Sequence, residues 1–322
     1  MLTTNHRLID TNGIKMHIAE QGQGRLVILC HGFPECWYSW RHQLQALASA
    51  GFHVVAPDLR GYGQTDQPES VEAYNIFNIV GDIVGLVHAL NQERAIIVGH
   101  DWGASIAWHC ALLRPDIFNA IALLSVPYHI RTWKSRRPTT VLKQMAGGQQ
   151  FYIQYFQEQG LAEAELEVDV RKTMSMVLYS ASGDAPPEKR WRYVFDKSEK
   201  FIDTLSQPST LPAWLTEQDL DYFTNEFKRT GFRGGLSYYR NMDRNWENTP
   251  FLSGAKLHQP ALFIGGEVDP TITLNRDVIN IMETTVPNLK NKVLLPNAGH
   301  WIQQERPREV NQLLIDFLKS NL

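Results

Sequence analysis

Asp101 stands between two glycines, in Ile96-Ile97-Val98-Gly99-His100-Asp101-Trp102-Gly103-Ala104. A short apolar run enters this stretch and a helix-like run, Ala104 to Leu113, leaves it. A nucleophile lifted onto a tight strand-to-helix turn brings neighbouring backbone close, so positions 99 and 103 must be nearly bare. Serine at such a turn suits acyl transfer to a carbonyl. Aspartate suits displacement at a saturated carbon, because the ester it forms still has a carbonyl for water to attack, which splits one difficult hydrolysis into two easier steps. The carboxylate must stay ionised, and donors around the turn can arrange that. An ordinary strand–loop–helix corner with a solvated, helix-starting aspartate has the same letters, so the rest of the chain must decide.

Two further groups complete a reaction scheme. His300, in Gly299-His300-Trp301, can take the proton from the attacking water, since neutral imidazole is well populated near pH 7. An acid can accept a hydrogen bond from that histidine and fix its tautomer. Asp269 and Glu267 compete for this role, and its place at the end of a strand favours Asp269. When water attacks the Asp101 ester, its carbonyl oxygen becomes negative and backbone N–H groups must face it. Trp102, just after the nucleophile, is one donor, and Phe33, in His31-Gly32-Phe33-Pro34, is the other; Pro34 has no N–H. His31, Asp58 and Arg60 read as loop-holding residues. His53, His88 and His109 read as packed or surface groups.

The elements that must hold these residues alternate. Residues 7–20 read as a hairpin around Asp10-Thr11-Asn12-Gly13. Strands follow at Leu26–Cys30, Phe52–Ala56, Ala95–Val98 and Ala120–Val126, with helices between them, one carrying Trp40, Leu44 and Leu47 and another Ile76, Val80, Ile83, Val87 and Leu90. Residues 129–250 lose the strand–helix alternation and read as a helical insertion after the sixth strand. Within it Pro208 and Pro212 mark a connector, and Thr216 with Asp219 forms a capping box before a helix that stops at Gly231. The charges of 186–200 read as a solvated face. Alternation returns with a strand at Ala261–Ile264, a helix over roughly 274–283, a strand at Val293–Leu295 and a final helix with Pro307 in its first turn. The expected fold class is therefore α/β: a mostly parallel sheet with helices on both faces, its core built from 1–128 and 251–322, with 129–250 as a lid. Ligands sit outside the carboxyl ends of such strands. The His31 loop, Asp101, Asp269 and His300 all fall there, and nucleophile, acid, histidine is the chain order of the α/β-hydrolase triad.

Composition excludes several classes. A net charge of −3 over 322 residues points to neither nucleic acid nor an anionic membrane surface. Met1 to Asn12 has no apolar core for a secretion signal, and no run reaches the roughly 18 apolar residues of a membrane span. Cys30, Cys36 and Cys110 lack metal-type spacing and read as buried thiols in a reducing, cytoplasmic setting. With no phosphate loop and no metal-ligand cluster, neither cofactor nor metal is implied.

The stretches Gly99-His100-Asp101-Trp102-Gly103, His31-Gly32-Phe33-Pro34 and Gly299-His300-Trp301 resemble the epoxide hydrolases of the α/β-hydrolase fold. Phe33-Pro34-Glu35-Cys36-Trp37-Tyr38-Ser39-Trp40, Tyr155-Phe156-Gln157-Glu158 and Gly234-Gly235-Leu236-Ser237-Tyr238-Tyr239-Arg240-Asn241 are similar to the soluble members in particular, so the resemblance extends through nearly the whole chain. The mammalian soluble enzymes carry an additional phosphatase-like domain before this one, for which the chain has no room. The family pattern also selects Asp269 over Glu267. It implies that two lid tyrosines hold the epoxide oxygen, at the positions of Tyr152 and Tyr239, with Tyr155 and Tyr238 as near alternatives. A neutral phenol, of pKa about 10, can donate to the opening ring without being ionised at rest. Trp37, Trp40, Trp102 and Trp301 are expected to wall an apolar pocket. The implied function is hydrolysis of small apolar epoxides by water to vicinal diols, through an ester on Asp101, with detoxification as the expected role. A haloalkane or haloacid dehalogenase shares the aspartate nucleophile but needs no acid. Its fluoroacetate-type members place arginines where this chain has Trp102, Gly103, Ala104 and Ser105. A non-catalytic ligand receptor on the same fold is the alternative of another class.

Overall fold

The computed structural model describes residues 3–320. Met1 and Leu2, at the head of the stretch read for a secretion signal, lie outside the described residues. β1 (Asn5–Thr11) and β2 (Ile14–Gln21) form the hairpin that Asn12-Gly13 announces. Both turn residues have positive φ, 45° and 78°, as a two-residue hairpin turn demands. Then come β3 (Arg25–Cys30), α1 (Arg41–Ser49), β4 (Phe52–Pro57), α2 (Ile76–Ala89), β5 (Ala95–His100), α3 (Trp102–Leu113) and β6 (Phe118–Leu124). A mostly helical stretch follows, whose only described strands are the two-residue pieces β7 (Gln150–Phe151) and β8 (Val194–Phe195), paired with each other. β9 (Ala261–Gly266), β10 (Leu289–Leu295) and the helix Pro307–Ser320 complete the alternation.

Eight strands form one sheet in the order β1-β2-β4-β3-β5-β6-β9-β10. β1 and β2 join it antiparallel, and the remaining pairs are parallel. Side chains alternate across the sheet, as the strand period of two requires. Ile97 packs into the core beneath α2 and α3, while its neighbours Ile96 and Val98 join Leu44, Leu47 and Leu314 on the opposite face. Each such fully buried aliphatic side chain contributes roughly 1.5–3 kcal/mol, which is why these strands read as unbroken apolar runs. Register aligns the carboxyl ends: Cys30 lies beside Gly99, His100 beside Leu124, and Leu124 beside Ile264. The loops that leave these strands therefore meet at one edge.

Several expectations change. The strand expected at Ala120–Val126 runs Phe118–Leu124, because Ser125 turns the chain at φ 64°. The helix expected over roughly 274–283 is three short pieces, Pro270–Leu274, Arg276–Asn280 and Met282–Thr285. Asn275 breaks the first junction by donating its side-chain amide to the Thr271 carbonyl, a local bond that competes with the helix ladder. Trp37 and Trp40 belong to the core on the α1 face of the sheet and wall no pocket near Asp101. Between 186 and 200 most of the charges are exposed, with Arg190 and Glu199 partly covered, but Trp191 and Phe195 are buried and Tyr193 partly so. The signal was present as aromatic residues at every second place, Trp191, Tyr193 and Phe195, the spacing of a strand. The capping box forms as expected: the Thr216 hydroxyl accepts the Asp219 N–H at 3.1 Å and the Asp219 carboxylate accepts the Thr216 N–H at 2.9 Å, ahead of the helix Glu217–Thr230.

The tight turn at Asp101 is crowded in the way the glycine spacing implied. A Cβ on Gly99 would lie 2.0 Å from the Gly103 carbonyl oxygen, and one on Gly103 would lie 1.9 Å from the Cys30 carbonyl oxygen. Gly103→Ala should therefore lower stability by about 3 kcal/mol, the upper range for an overpacked site. Urea unfolding checks this, and an unchanged midpoint would remove the close approach as the reason for glycine.

Candidate active site

Asp101 begins α3 at φ 53°, ψ −118°. Such a conformation in a residue with a side chain stores about 1–3 kcal/mol of strain. The strain turns the carboxylate away from the helix it precedes, and no side-chain cap bond forms. Its two oxygens meet different partners. Oδ1 accepts the Phe33 N–H at 2.9 Å, and Oδ2 lies 3.6 Å from His300 Nε2. On its other side the His300 ring donates from Nδ1 to Asp269 Oδ2 at 3.0 Å. Asp269 is fully buried and caps the following helix, its Oδ1 accepting the Thr271 N–H at 2.7 Å. Glu267 is exposed. The structure thus brings Asp101, His300 and Asp269 into one line. Trp102 N–H makes no bond to the Asp101 carboxylate; it is one of the unpaired donors of the first turn of α3, and of the two expected oxyanion donors only Phe33 now touches that carboxylate.

Burial alone would lower the pKa of His300. The negative charges and hydrogen bonds of Asp269 and Asp101 outweigh it and hold the imidazole well above its ordinary value. The carbonyl of His300 accepts from His100 Nε2 at 2.7 Å and from the Ser125 hydroxyl at 2.9 Å, and its N–H donates to Ala181 at 2.8 Å.

The insertion supplies an aromatic roof. Tyr239, on the helix Arg233–Arg240, sets its ring edge-on to Trp102 at 5.0 Å and to Phe33 at 5.5 Å. Tyr152 lies 6.1 Å from Tyr239 by ring centroids. Burial pushes both phenols well above their ordinary pKa, helped by the Asp101 charge at Tyr152 and by Tyr152 and then Asp101 at Tyr239, so they stay protonated. The two neighbouring candidates are committed elsewhere. Tyr155 donates to Glu165 at 2.7 Å, and Tyr238 donates to the Arg60 carbonyl at 2.9 Å. Trp301 packs edge-on against His300 at 4.9 Å and gives its indole N–H to the Leu178 carbonyl at 2.8 Å. His31 holds its loop, accepting the Leu59 N–H at 3.1 Å. Asp58 and Arg60 also tie loops, to His17 and Asp82 respectively.

One cluster escaped the sequence reading. Glu35, fully buried, accepts from Gly32 N–H at 3.1 Å, from His100 Nδ1 at 2.7 Å, and from the side-chain amides of Gln303 and Gln304 at 2.9 and 3.1 Å. The His300 carbonyl can only accept, so His100 Nε2 donates; opposite an ionised Glu35, Nδ1 donates as well. Burial would raise Glu35, but His100 and the surrounding donors hold its carboxyl down at about 2. The pair lies under Gly32 and His300 and ties the two loops together. Its only sequence trace was a charge inside Phe33-Pro34-Glu35 and a histidine at the end of a buried strand.

Comparison with known proteins places these features. The model of the alpha/beta hydrolase fold matches residues 25–307. The chain is 45% identical to epoxide hydrolase A of Mycobacterium tuberculosis over 97% of this chain and 96% of that one. It is similar in structure to an epoxide hydrolase from an endophytic Streptomyces, with a TM-score of 0.94 and 47% identity, covering 98% and 96% of the two chains. Epoxide hydrolase A from Mycobacterium thermoresistibile gives 0.93 and 46%, covering 98% of each. Among the described residues there is no group of acids, histidines and cysteines that could hold a metal, and no helix long and apolar enough to cross a membrane.

The buried Glu35–His100 pair should weigh heavily on stability. Glu35→Ala leaves His100, Gly32 and two amides without an acceptor and should cost about 3–5 kcal/mol. Glu35→Gln, which can still donate to a neutral His100 but loses the Gly32 bond, should cost only about 1–2 kcal/mol. Because the folded-state pKa of Glu35 lies near 2 against an ordinary 4.5, the contribution is complete above pH 4.5 and fades as pH falls toward 2. Urea titrations of the two variants at pH 7 and pH 4 check both the size and the sign.

Proposed function

Since the chain belongs to the epoxide hydrolases of the α/β-hydrolase fold and turns epoxides and water into vicinal diols, we propose that it does so through a covalent ester on Asp101. The observation that carries this reading is the division of labour between the two Asp101 oxygens. Oδ1 already sits on the Phe33 N–H, where an oxyanion would need its donor. Oδ2 carries no such bond to the loop and faces the open side toward His300. In the first step Oδ2 attacks a ring carbon, the carbon–oxygen bond of the epoxide breaks, and the leaving oxygen takes a proton from the hydroxyl of Tyr239 or Tyr152. Residues 129–250 act as the lid that brings these phenols over Asp101 and excludes water.

In the second step His300 removes a proton from water, which attacks the ester carbonyl carbon. The carbonyl oxygen becomes negative on the Phe33 N–H, with the Trp102 N–H as the second donor. Collapse breaks the bond between that carbon and the ester oxygen; the departing alkoxide takes from His300 the proton that came from water, and the proton left on the new Asp101 carboxyl returns to the phenolate formed in the first step. Esterification also removes the Asp101 charge that helps hold His300 protonated. The imidazole therefore becomes available in its neutral form, as a base, only once there is an ester to hydrolyse. Asp269 balances the imidazolium that forms. The substrate class is a small apolar epoxide, given the aromatic roof of Phe33, Trp102, Tyr152 and Tyr239. The three free, buried cysteines suit a reducing cytoplasm, where removal of reactive epoxides is a detoxification.

One turnover in heavy-oxygen water should place the label in the Asp101 carboxylate and leave the first diol unlabelled; label in that diol sinks the ester. His300→Gln should slow ester hydrolysis by at least about 100-fold and leave a mass adduct on the Asp101 peptide. Tyr239→Phe should slow opening of styrene oxide by about 100-fold. It should spare any displacement of halide from a haloalkane, which needs no acid, so equal loss on both substrates would deny the phenol its role as proton donor.

A further inference from the structure

Glu305 is a buried carboxylate that the scheme above does not use. It ends the short helix Ile302–Glu305 and is only 6% exposed. Its Oε2 accepts the Gly183 N–H and the Gly299 N–H, each at 2.9 Å, and its Oε1 accepts the Trp301 N–H at 3.0 Å. Gly299 and Trp301 flank His300. Gly183 comes from the lid, just beyond the helix Val170–Ser180. Lid and loop touch backbone to backbone here: a Cβ on Gly299 would lie 2.3 Å from the Gly183 nitrogen, and one on Gly183 would lie 2.8 Å from the Gly299 nitrogen. Two more bonds stitch the same seam, from His300 N–H to the Ala181 carbonyl and from the Trp301 indole to the Leu178 carbonyl, both at 2.8 Å.

A carboxylate that spends three acceptor sites on backbone N–H groups from two separate segments has no free face for substrate. We propose that Glu305 is a positioning residue for the second step: its carboxylate fastens the lid at Gly183 to the loop Gly299–Trp301 and thereby sets the reach of the His300 imidazole to the Asp101 ester. This rests on the reading of His300 as the base. The sheet holds the His300 carbonyl from below through His100 and Ser125. Glu305 holds the two flanking amides from the lid side. With both clamps in place the peptide planes on either side of His300 cannot swing, and the side chain keeps its line between Asp101 and Asp269.

The clasp works only while Glu305 is ionised, since a protonated oxygen would itself present a hydrogen to N–H donors. Burial, with a contribution from Asp184 on the lid, pushes its carboxyl up to about 7. The other charged neighbours are His300 on its own loop and Arg306, whose guanidinium donates to the carbonyls of Glu305 and Asn297. Below neutral pH the clasp should slacken and the second step should slow, while the first step, which does not involve His300 as base, should not.

The test separates the two steps. Single turnovers of styrene oxide, followed by quenching and by mass analysis of the Asp101 peptide, give the rates of ester formation and ester hydrolysis. Glu305→Gln should leave formation within about 2-fold and slow hydrolysis by about 10–100-fold, the scale of a small misplacement of a catalytic group, so that the adduct accumulates. Its hydrolysis rate should also lose the part of the acid limb near pH 7 that Glu305 contributes, leaving the limb of His300 alone. Glu305→Asp, which keeps the charge but shortens the reach, should show the same selective slowing to a smaller degree and guards against poor folding of the amide variant. Unchanged hydrolysis, or an equal fall in both rates, overturns the proposal. His300→Gln run in parallel keeps the premises apart: an adduct there with none in Glu305→Gln defeats the clasp alone, whereas an adduct in neither defeats the reading of His300 as base.

Discussion

The geometry of the site depends on the hydrogen bond from the Phe33 N–H to Asp101 Oδ1. It joins two strand ends, the loop after β3 and the turn after β5, which the parallel register sets side by side at Cys30 and Gly99. It also requires Asp101 to hold φ 53°, a conformation that no helix-capping aspartate needs. A cap would aim the carboxylate at the N–H groups of its own helix. Here the backbone twist aims it outward, and the strain is offset by the packing that the bare positions 99 and 103 permit. Once Oδ1 is held in this way, Oδ2 is left for chemistry, and the two oxygens of one symmetric group become inequivalent.

On the proposed reading, electrostatics order its two steps. His300 lies between two carboxylates and is held protonated despite its burial. The two phenols above it feel the same negative charge and keep their hydrogens. In the resting site the acid groups are therefore loaded and the base is not. Transfer of Asp101 from carboxylate to ester removes one unit of negative charge from the centre, which favours the neutral imidazole. Low local dielectric makes this exchange larger than it would be in water, and the aromatic roof supplied by the insertion keeps it low. On that reading the insertion contributes to the base as well as to the acid, although its tyrosines serve only the first step.

Much of this was legible in the chain because a parallel sheet buried on both faces writes itself as apolar runs, such as Leu26–Cys30 and Ala95–Val98, and because loops at the carboxyl ends of such strands carry the reactive groups. The positions of Asp101, Asp269 and His300 followed from that rule. What was not legible was direction. Tyr152 and Tyr155 lie three residues apart in sequence, and Tyr238 and Tyr239 are adjacent. Which hydroxyl faces Asp101 is decided by partners far away, Glu165 for Tyr155 and the Arg60 carbonyl for Tyr238. The Glu35–His100 pair spans 65 residues, and no local pattern announces a bond of that length. The tryptophans misled for a related reason: an indole at a loop near the site can as readily enter the core beneath the sheet, as Trp37 and Trp40 do. The broken helix near Asn275 shows the reverse failure, where a local side-chain bond overrules a plausible helical spacing.

If Asp101 is the nucleophile, as proposed, the arrangement also accounts for aspartate serving at this turn without an activating base beside it. A serine nucleophile must lose a proton as it attacks, so its histidine has to be neutral at the start. A carboxylate attacks as it stands, and a protonated histidine 3.6 Å away does not block it. The demand for a neutral base is deferred until the ester exists, and that delay permits Asp101 and His300 to share a buried site as an ion pair. The acid demand moves the other way. An epoxide gains stability from a proton at the moment its ring opens, so hydrogen must already be waiting on the far side of the carbon, where the core strands have no group to offer. Only an element reaching over the sheet edge can place it there. The insertion after β6 does so with Tyr152 and Tyr239, and the seam at Gly183 and Gly299 keeps that same element in register with the loop of His300. The proposed acid above and base below are thus held by one piece of chain, and their spacing across Asp101 is set by packing that neither group supplies itself.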